Sequence, residues 1–324
     1  MPLDVSNIQA MLACERGAQI EGYFLLRVCT PKTTNAGKPY LDMMLCDLTG
    51  EVSGKWWDWN GSEEYEVPSL VKVRGTVELY NKLPQLRVER MRESLPSDGL
   101  DPSLYVPSAP YPSEDMMAQI WAFVERIQHP QIQAIVRTIV TAQQDAFAYF
   151  PAAVSNHHAF RSGLLYHTLT MAKAADALLG VYTHLDADLL LAGVLLHDMC
   201  KIKEFDTSSL GLARGYTRTG QLIGHIVRGV VDIEIAGKAA GASDEIIELL
   251  QHMILSHHDL PEYGSPVHPM IPEAQVLHAL DDLDAKLQDM SKALAALEPG
   301  QCSERVYSLQ RRLYKAGFRD AEQE

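Results

Sequence analysis

Eight consecutive residues, 189–196 (LLLAGVLL), carry no polar side chain. A helix that is apolar on every face belongs inside a core. This one runs straight into His197, Asp198 and Lys201. A carboxylate and a cation at the mouth of a buried helix are costly unless something compensates their charge. A bound metal ion does so economically for a His-Asp pair. The plainer alternative is a helix that surfaces at its C-terminus, where the macrodipole favours His and Lys. These thirteen residues leave both readings open, and the rest of the chain has to choose.

The chain has 324 residues, enough for two domains with real cores. Its formal charge of −14 argues against a surface that coats nucleic acid generally. The charge is uneven. Residues 1–95 hold 11 Lys+Arg against 13 Asp+Glu, so most of the excess lies beyond them. All 12 histidines fall between His129 and His278. Two chemically different modules therefore share the chain. No apolar run approaches the ~20 residues that span a bilayer, and the N-terminus lacks the basic start and apolar core of a secretory signal. Five cysteines, widely spaced and without a CxxC pair, read as reduced thiols. The expectation is a cytoplasmic protein with no membrane partner, and a homo-oligomer is left open.

Residues 1–93 form the first expected domain. Between residues 15 and 92, alternating runs rich in β-formers (IEGYFLLRVCT, PYLDMMLCDL, EVSGKWWDW, LVKVRGTVELY, PQLRVERM) are separated by turn signals such as Asn60-Gly61 and Asn81-Lys82. Five short strands in this length predict a small OB-like β-barrel. Trp56, Trp57 and Trp59 sit together, and on a strand Trp57 and Trp59 would share one face. Residues 70–92 carry six cations against Glu78 and Glu89. Aromatics beside a basic track are how single strands are held without sequence preference. Trp57, Trp59, Tyr80, Lys82 and Arg87 are the candidate nucleic-acid contacts. The bland reading makes one tryptophan a barrel plug and the cations solvated strand faces.

Residues 94–113 hold five prolines with Ser, Asp and Gly, and predict an extended linker. From 114 to 324 the pattern is helical, with stretches at 114–128, 131–149, 158–180, 187–200, 220–240, 244–257, 273–295 and 303–316. Gly237 and Gly241 are expected to end a helix. The fold class is thus a small β-barrel followed by an all-α domain.

The metal-capable residues recur once per helix: His167, then His197 and Asp198, His225, His257 and His258, and Asp281. One histidine on an apolar helix is usually a satisfied core residue. Five, with two aspartates on successive helices, point to a metal centre. Imidazole and carboxylate together suit divalent Mn, Fe, Co or Zn. One ion takes about four protein ligands, so seven divide naturally between two ions that share Asp198. Paired ions ~3.5–4 Å apart are a standard arrangement for phosphate-ester hydrolysis.

His167, His197-Asp198 and Asp281 resemble the H…HD…D signature of the HD-domain metal-dependent phosphohydrolases, an all-helical superfamily. His225 and His257-His258 resemble the extra ligands of its dinuclear branch. SNHHAFRSGLLYHTL, LLAGVLLHDMCKIKEF, GQLIGHIV, HMILSHHD, the stretch from YGSPVH to LDDLDAK, and the N-terminal GKPYLDMMLCDLTGEVSGKWWD together resemble the YhaM-type 3′→5′ exoribonucleases of bacteria, in which an OB-fold precedes an HD domain. That resemblance spans roughly residues 15–295. It implies one metal held by His167, His197, Asp198 and Asp281, and a second by Asp198, His225, His257 and His258. Lys201 matches the HDxGK lysine that reaches substrate phosphate, and Asp198 with Lys201 would be catalytic. The Gly of that motif is Cys200 here, which would be strained if the position required positive φ, and whose thiol would be open to oxidation. Asp284 and Lys286 are candidates for orienting the ligands. His157, His158 and Arg161 match the family and would line the substrate pocket.

The expected activity is hydrolysis of single-stranded RNA, or also DNA, from the 3′ end to 5′-mononucleotides by a metal-activated hydroxide, with two divalent ions, manganese foremost. A nucleotide or cyclic-dinucleotide phosphohydrolase with a regulatory barrel is the alternative. A non-catalytic strand-binding protein is a third reading, against which the complete ligand set argues.

Overall fold

The computed structural model describes residues 2–154 and 158–318. The chain divides into two compact units, one comprising residues up to Ser108 with Ser208–Leu212, the other the remainder.

In the first unit, β1 (Leu3–Val5), α1 (Ile8–Leu12), β2 (Gln19–Thr33), β3 (Pro39–Asp47), β4 (Gly50–Trp56), β5 (Ser69–Tyr80) and β6 (Leu83–Glu93) build one sheet. Its order is β1-β2-β3-β4-β6-β5, and β5 pairs back onto β2. Five strands thus close into a barrel. β2 makes closure feasible by being long: its first half pairs with β5 and its second with β3, with a register shift between Leu26 and Val28. β4 and β6 run parallel and every other pair in the barrel is antiparallel. This is the strand order of an OB barrel. Alternate residues Leu41, Met43 and Leu45, or Val71, Val73 and Val77, point inward and are buried. α1 adds Ile8 and Met11 to the same core. Its N-cap Asn7 side chain accepts from the Ala10 amide at 2.7 Å.

Two expectations for this unit need correction. β4 stops at Trp56, so Trp57 and Trp59 do not share a strand face. The proline-rich stretch is not an extended linker throughout. Tyr105 and Val106 are buried in a cluster with Leu25, Cys46, Leu70 and Leu210. The Arg92 guanidinium grips both oxygens of Asp98 at 2.8 and 2.9 Å. Proline composition signals a fixed φ, which suits a docked segment as well as a free one.

The second unit contains α2 (Ser113–Arg126), α3 (Pro130–Phe147), α4 (Gly163–Leu179), α5 (Ala187–Leu196), α6 (Lys201–Glu204), α7 (Arg218–Leu222), α8 (Gly224–Ala239), α9 (Asp244–Ser256) and α10 (Pro272–Ala295). The Asp186 side chain caps α5 through the Leu189 amide at 2.9 Å. All eight residues from Leu189 to Leu196 are buried, as a helix without a polar face must be. α9 approaches α5 so closely that a Cβ on Gly193 would lie 2.1 Å from Met253 Cε. Gly237 likewise is not a helix stop. It sits within α8 where a Cβ would lie 2.5 Å from Ile247 Cγ1, while Gly241 (φ +64°) follows the helix end.

The helical series is interrupted by a hairpin, β7 (Phe205–Thr207) with β8 (Ala213–Tyr216), which a purely all-α expectation omits. Residues 303–316 are not helical either. They carry isolated bridges, Cys302 to Tyr314 and Val306 to Arg311. Among the described residues no helix is long and apolar enough to cross a membrane.

Candidate metal centre

α4, the turn after α5, the start of α8, the end of α9, and α10 deliver five imidazoles and two carboxylates to one place. His197 still bonds back to Gly193 O at 2.9 Å, so the helical path carries past α5 into the His-Asp pair. Cys200 has φ −78°, ordinary right-handed backbone, so a side chain is accommodated there without strain.

Each imidazole is aimed through its Nδ1. His197 Nδ1 meets Val194 O at 2.8 Å, His257 Nδ1 meets Ile254 O at 2.7 Å, and His258 Nδ1 meets Tyr263 O at 2.7 Å. Carbonyls only accept, so these three rings donate from Nδ1 and keep the lone pair on Nε2. The other two rings use carboxylates. His167 Nδ1 lies 2.7 Å from Asp284 Oδ2, and His225 Nδ1 lies 2.7 Å from Glu204 Oε2. Such partners fix a ligand's tautomer and raise its basicity.

The Nε2 atoms converge with Asp198 at the middle. His167 Nε2 lies 3.3 Å from His197 Nε2, 3.3 Å from Asp281 Oδ1 and 3.7 Å from Asp198 Oδ2, and His197 Nε2 is 3.4 Å from Asp198 Oδ2. Donors ~2.0–2.1 Å from one ion stand about 3.0–3.4 Å apart, so these four atoms fit a divalent cation with little adjustment. On the other side, Asp198 Oδ1 is 3.5 Å from His225 Nε2 and 3.9 Å from His257 Nε2. His225, His257 and His258 offer nitrogens within 4.8 Å of one another. His258 Nε2 is also 3.8 Å from Asp281 Oδ2. Asp198 Oδ1, His225 Nε2 and His257 Nε2 are buried and accept no hydrogen bond. Three inward-facing acceptors without a donor are what a cation satisfies.

Titration follows the same geometry. Burial works against charge on His167, but its bonds to Asp281 and Asp284 prevail and lift its pKa to about 9. Burial alone would raise Asp198, yet the Lys201 ammonium beside it holds it well below the usual carboxylate range. Asp281 and Asp284 are half-buried, and there too desolvation works against charge while their imidazole partners hold them low. Burial pushes His257 well down, and lowers His258.

Lys201 donates to Asp198 Oδ2 at 2.7 Å. Burial opposes its charge, but Asp198 outweighs this and keeps the ammonium protonated. It therefore braces the Asp198 carboxylate, a contact that the motif's phosphate-reaching role does not include. His158 is buried, with Nε2 2.8 Å from Asp284 Oδ2, so it stands behind His167. Arg161 lies over the Tyr149 ring at 5.6 Å. His157 lies outside the described residues. Lys286 is exposed and pairs with Asp282 at 2.6 Å, away from the ligands it was expected to orient. The sequence does not single out Glu204, a carboxylate within the polar run KIKEF whose contact with His225 is made by the fold. Cys200 is not an exposed liability: burial, with Asp232 beside it, pushes its thiol up to about 12.

On the barrel, Trp59 must be withdrawn as a strand contact. It is only 7% exposed, packs in the core with Trp56, and donates from Nε1 to Glu63 O at 3.1 Å. Trp57 is half-buried and packs on Tyr40, ring centroids 4.5 Å apart and tilted 30°. Tyr80 and Lys82 are exposed at the β5–β6 turn, where Asn81 and Lys82 both have positive φ. Tyr80 borders a groove of about 530 Å³ also lined by Met44, Ser53, Lys55 and Gln85. The exposed Arg87 guanidinium lies within 4.0 Å of Asp58 and Glu78.

Histidines and aspartates gathered from five helices around a His-Asp pair define an HD-type metal centre, a divalent-cation site. The HD-domain family model matches residues 164–286. The similarity reaches well beyond that domain. The 3′-5′ exoribonuclease YhaM of a Geobacillus species is 40% identical over 94% of this chain and 94% of its own length. The YhaM of Bacillus subtilis is 39% identical over 94% and 97%, and that of Halalkalibacterium halodurans 37% identical over 96% and 98%. The chain belongs to the YhaM 3′-5′ exoribonuclease family. Among solved structures, a domain of replication protein A from Methanococcus maripaludis aligns with 28% of this chain at 13% identity and a TM-score of 0.24. The barrel's class stands on its own strand order.

Proposed function

We propose that this chain is a metal-dependent 3′-5′ exoribonuclease that shortens single-stranded RNA to 5′-mononucleotides in the cytoplasm. The observation that carries the reading is Asp198: its two oxygens face two different sets of ligand atoms, within a chain related to exoribonucleases over nearly its whole length. One divalent ion would sit with His167, His197, Asp198 and Asp281, and another with Asp198, His225, His257 and His258, manganese being the favoured metal. When bound, such a pair supplies a hydroxide at neutral pH and neutralises charge on the phosphate.

The chain's own groups do the rest. Asp284 and Glu204 hold His167 and His225 with Nε2 inward. Lys201 keeps Asp198 ionised and adds positive charge beside the phosphate position. His167, His197, Asp198 and His257 are each no more than 2% exposed, so charge at their end of the site acts at reduced dielectric. On the barrel, the Trp57–Tyr40 pair and Tyr80 offer ring faces, and Lys82 and Arg87 offer charge to the phosphates.

The test is a 5′-labelled single-stranded RNA incubated with Mn²⁺. A descending ladder is expected, abolished by Asp198→Ala. Intact RNA alongside turnover of a cyclic dinucleotide would replace this reading with a nucleotide phosphohydrolase.

A further inference from the structure

Beyond α10, residues 298–317 fold back on themselves. Gly300 N donates to Lys315 O at 2.8 Å, Lys315 N to Gln301 O at 2.9 Å, Ser303 N to Leu313 O at 2.8 Å, and Val306 N to Arg311 O at 2.9 Å. The turn between the arms is closed by Gln310 N on Tyr307 O at 3.2 Å. Ser303 and Leu313 are the inward residues of this loop, both buried, which leaves Arg312 and Tyr314 facing outward.

Its outer surface is locally basic in a chain of formal charge −14. Residues 303–318 hold four cations, Arg305, Arg311, Arg312 and Lys315, against the single carboxylate Glu304. Among the described residues none of those cations is paired with a carboxylate. Arg305 bonds the Gln310 side chain, Arg312 the Ser303 carbonyl, and Lys315 the Leu297 carbonyl. Interleaved with them are large rings in water: Tyr307 is 87% exposed and Tyr314 60%. Exposed aromatics are costly to leave idle, and guanidinium groups held on neutral oxygens keep their charge available.

An acidic peptide would meet the cations but leave the rings unused. A single-stranded polynucleotide meets both, with phosphates on the guanidinium groups and bases on the rings. We propose that this C-terminal loop is a second single-stranded RNA contact, separate from the barrel's, in which Arg305 and Arg311 take phosphates and Tyr307 and Tyr314 take bases. The inference rests on the exoribonuclease reading for its ligand class.

The test uses the full-length chain with a fluorescent 20-nucleotide oligoadenylate. Anisotropy is measured on metal-stripped protein across a salt series, and Mn²⁺-loaded enzyme is assayed on a dinucleotide. Arg305→Gln with Arg311→Gln should weaken binding and flatten the slope of log K against log salt by about 1.4, some 0.7 per phosphate. Tyr307→Ala with Tyr314→Ala should weaken it roughly 5-fold or more per ring while leaving that slope alone. Arg305→Lys with Arg311→Lys should restore the slope, because charge is kept. Dinucleotide turnover should stay at the wild-type rate in all of them. Unchanged affinity and slope in the first two pairs would overturn the proposal, as would polyglutamate competing as well as RNA does. Wild-type protein that neither binds nor shortens the oligonucleotide would instead sink the exoribonuclease reading itself.

Discussion

The two carboxylates that aim imidazoles offer a way to address the ligand sets one at a time. Asp284 serves His167, which faces Asp281, whereas Glu204 serves His225, which faces Asp198 Oδ1. Replacing such a partner typically lowers metal affinity 10–100-fold, about 1.4–2.7 kcal/mol. On the proposed two-ion reading, Asp284→Asn should therefore weaken one Mn²⁺ site, and Glu204→Gln the other. Proton competition adds a signature for Asp284. His167 titrates near 9 with its carboxylates in place, so at pH 7 a proton on Nε2 opposes the metal about 100-fold. Asp284→Asn removes part of what sustains that proton. Its deficit should thus be small at pH 7 and reach the full 10–100-fold by pH 9.5. The same group sets a stability trend in metal-free protein. A pKa raised above the free histidine value contributes stability that is complete below about pH 6.5 and lost as pH rises through about 9. Isothermal titration with Mn²⁺ at both pH values, for wild type, each variant and the double variant, reads all of this. If each variant weakened both sites alike, or if the Asp284→Asn deficit did not grow with pH, the assignment of one carboxylate to each set would be wrong.

Other consequences can be checked separately. Trp59→Ala should cost roughly 3–5 kcal/mol of barrel stability in denaturant unfolding. Trp57→Ala should cost far less stability and instead weaken strand binding by about 1–3 kcal/mol, and the reverse ranking would contradict their burial. Leu190→Ala, at a fully buried position of α5, should destabilise by about 2–5 kcal/mol in a thermal or urea melt, and a loss under 1 kcal/mol would mean that α5 is not central. Cys200 should resist iodoacetamide at pH 8.5 in the folded protein and react only on unfolding, followed by mass spectrometry, because its thiol is buried and titrates near 12. Tyr65 donates to Met91 O at 2.9 Å and is pushed up to about 12 by burial, so the stability it contributes is complete below about pH 10 and lost as pH rises through 12. The absorbance titration of Tyr65→Phe should lack that late step.

How much of this was legible beforehand depended on how each signal is written in a sequence. A histidine on an apolar helix stands out against its neighbours, so His167, His225 and the His197-Asp198 pair were visible, and the structure gathers them. Glu204 lies in a polar segment, KIKEF, where a carboxylate is unremarkable, and only the fold brings it to His225. Alternation placed the barrel strands well. It failed for Trp59 because nothing in EVSGKWWDW marks the strand's end at Trp56, after which period-two counting no longer applies. Residues 303–316 have spacing that satisfies a helix on paper. The partners that draw Ser303 and Leu313 together act across the loop, out of reach of a local pattern.

The bonds from His197 Nδ1 to Val194 O and from His257 Nδ1 to Ile254 O reach back three residues, into the last turns of α5 and α9. Carbonyls there lack an intrahelical partner. Each bond thus closes a helix end and points a ligand in the same stroke. Occupancy of the metal centre and the integrity of these two ends are therefore linked, and whatever loosens one should be felt by the other. Amide exchange at the ends of α5 and α9, followed with and without added Mn²⁺, would then report how firmly a cation is held, without any substrate present.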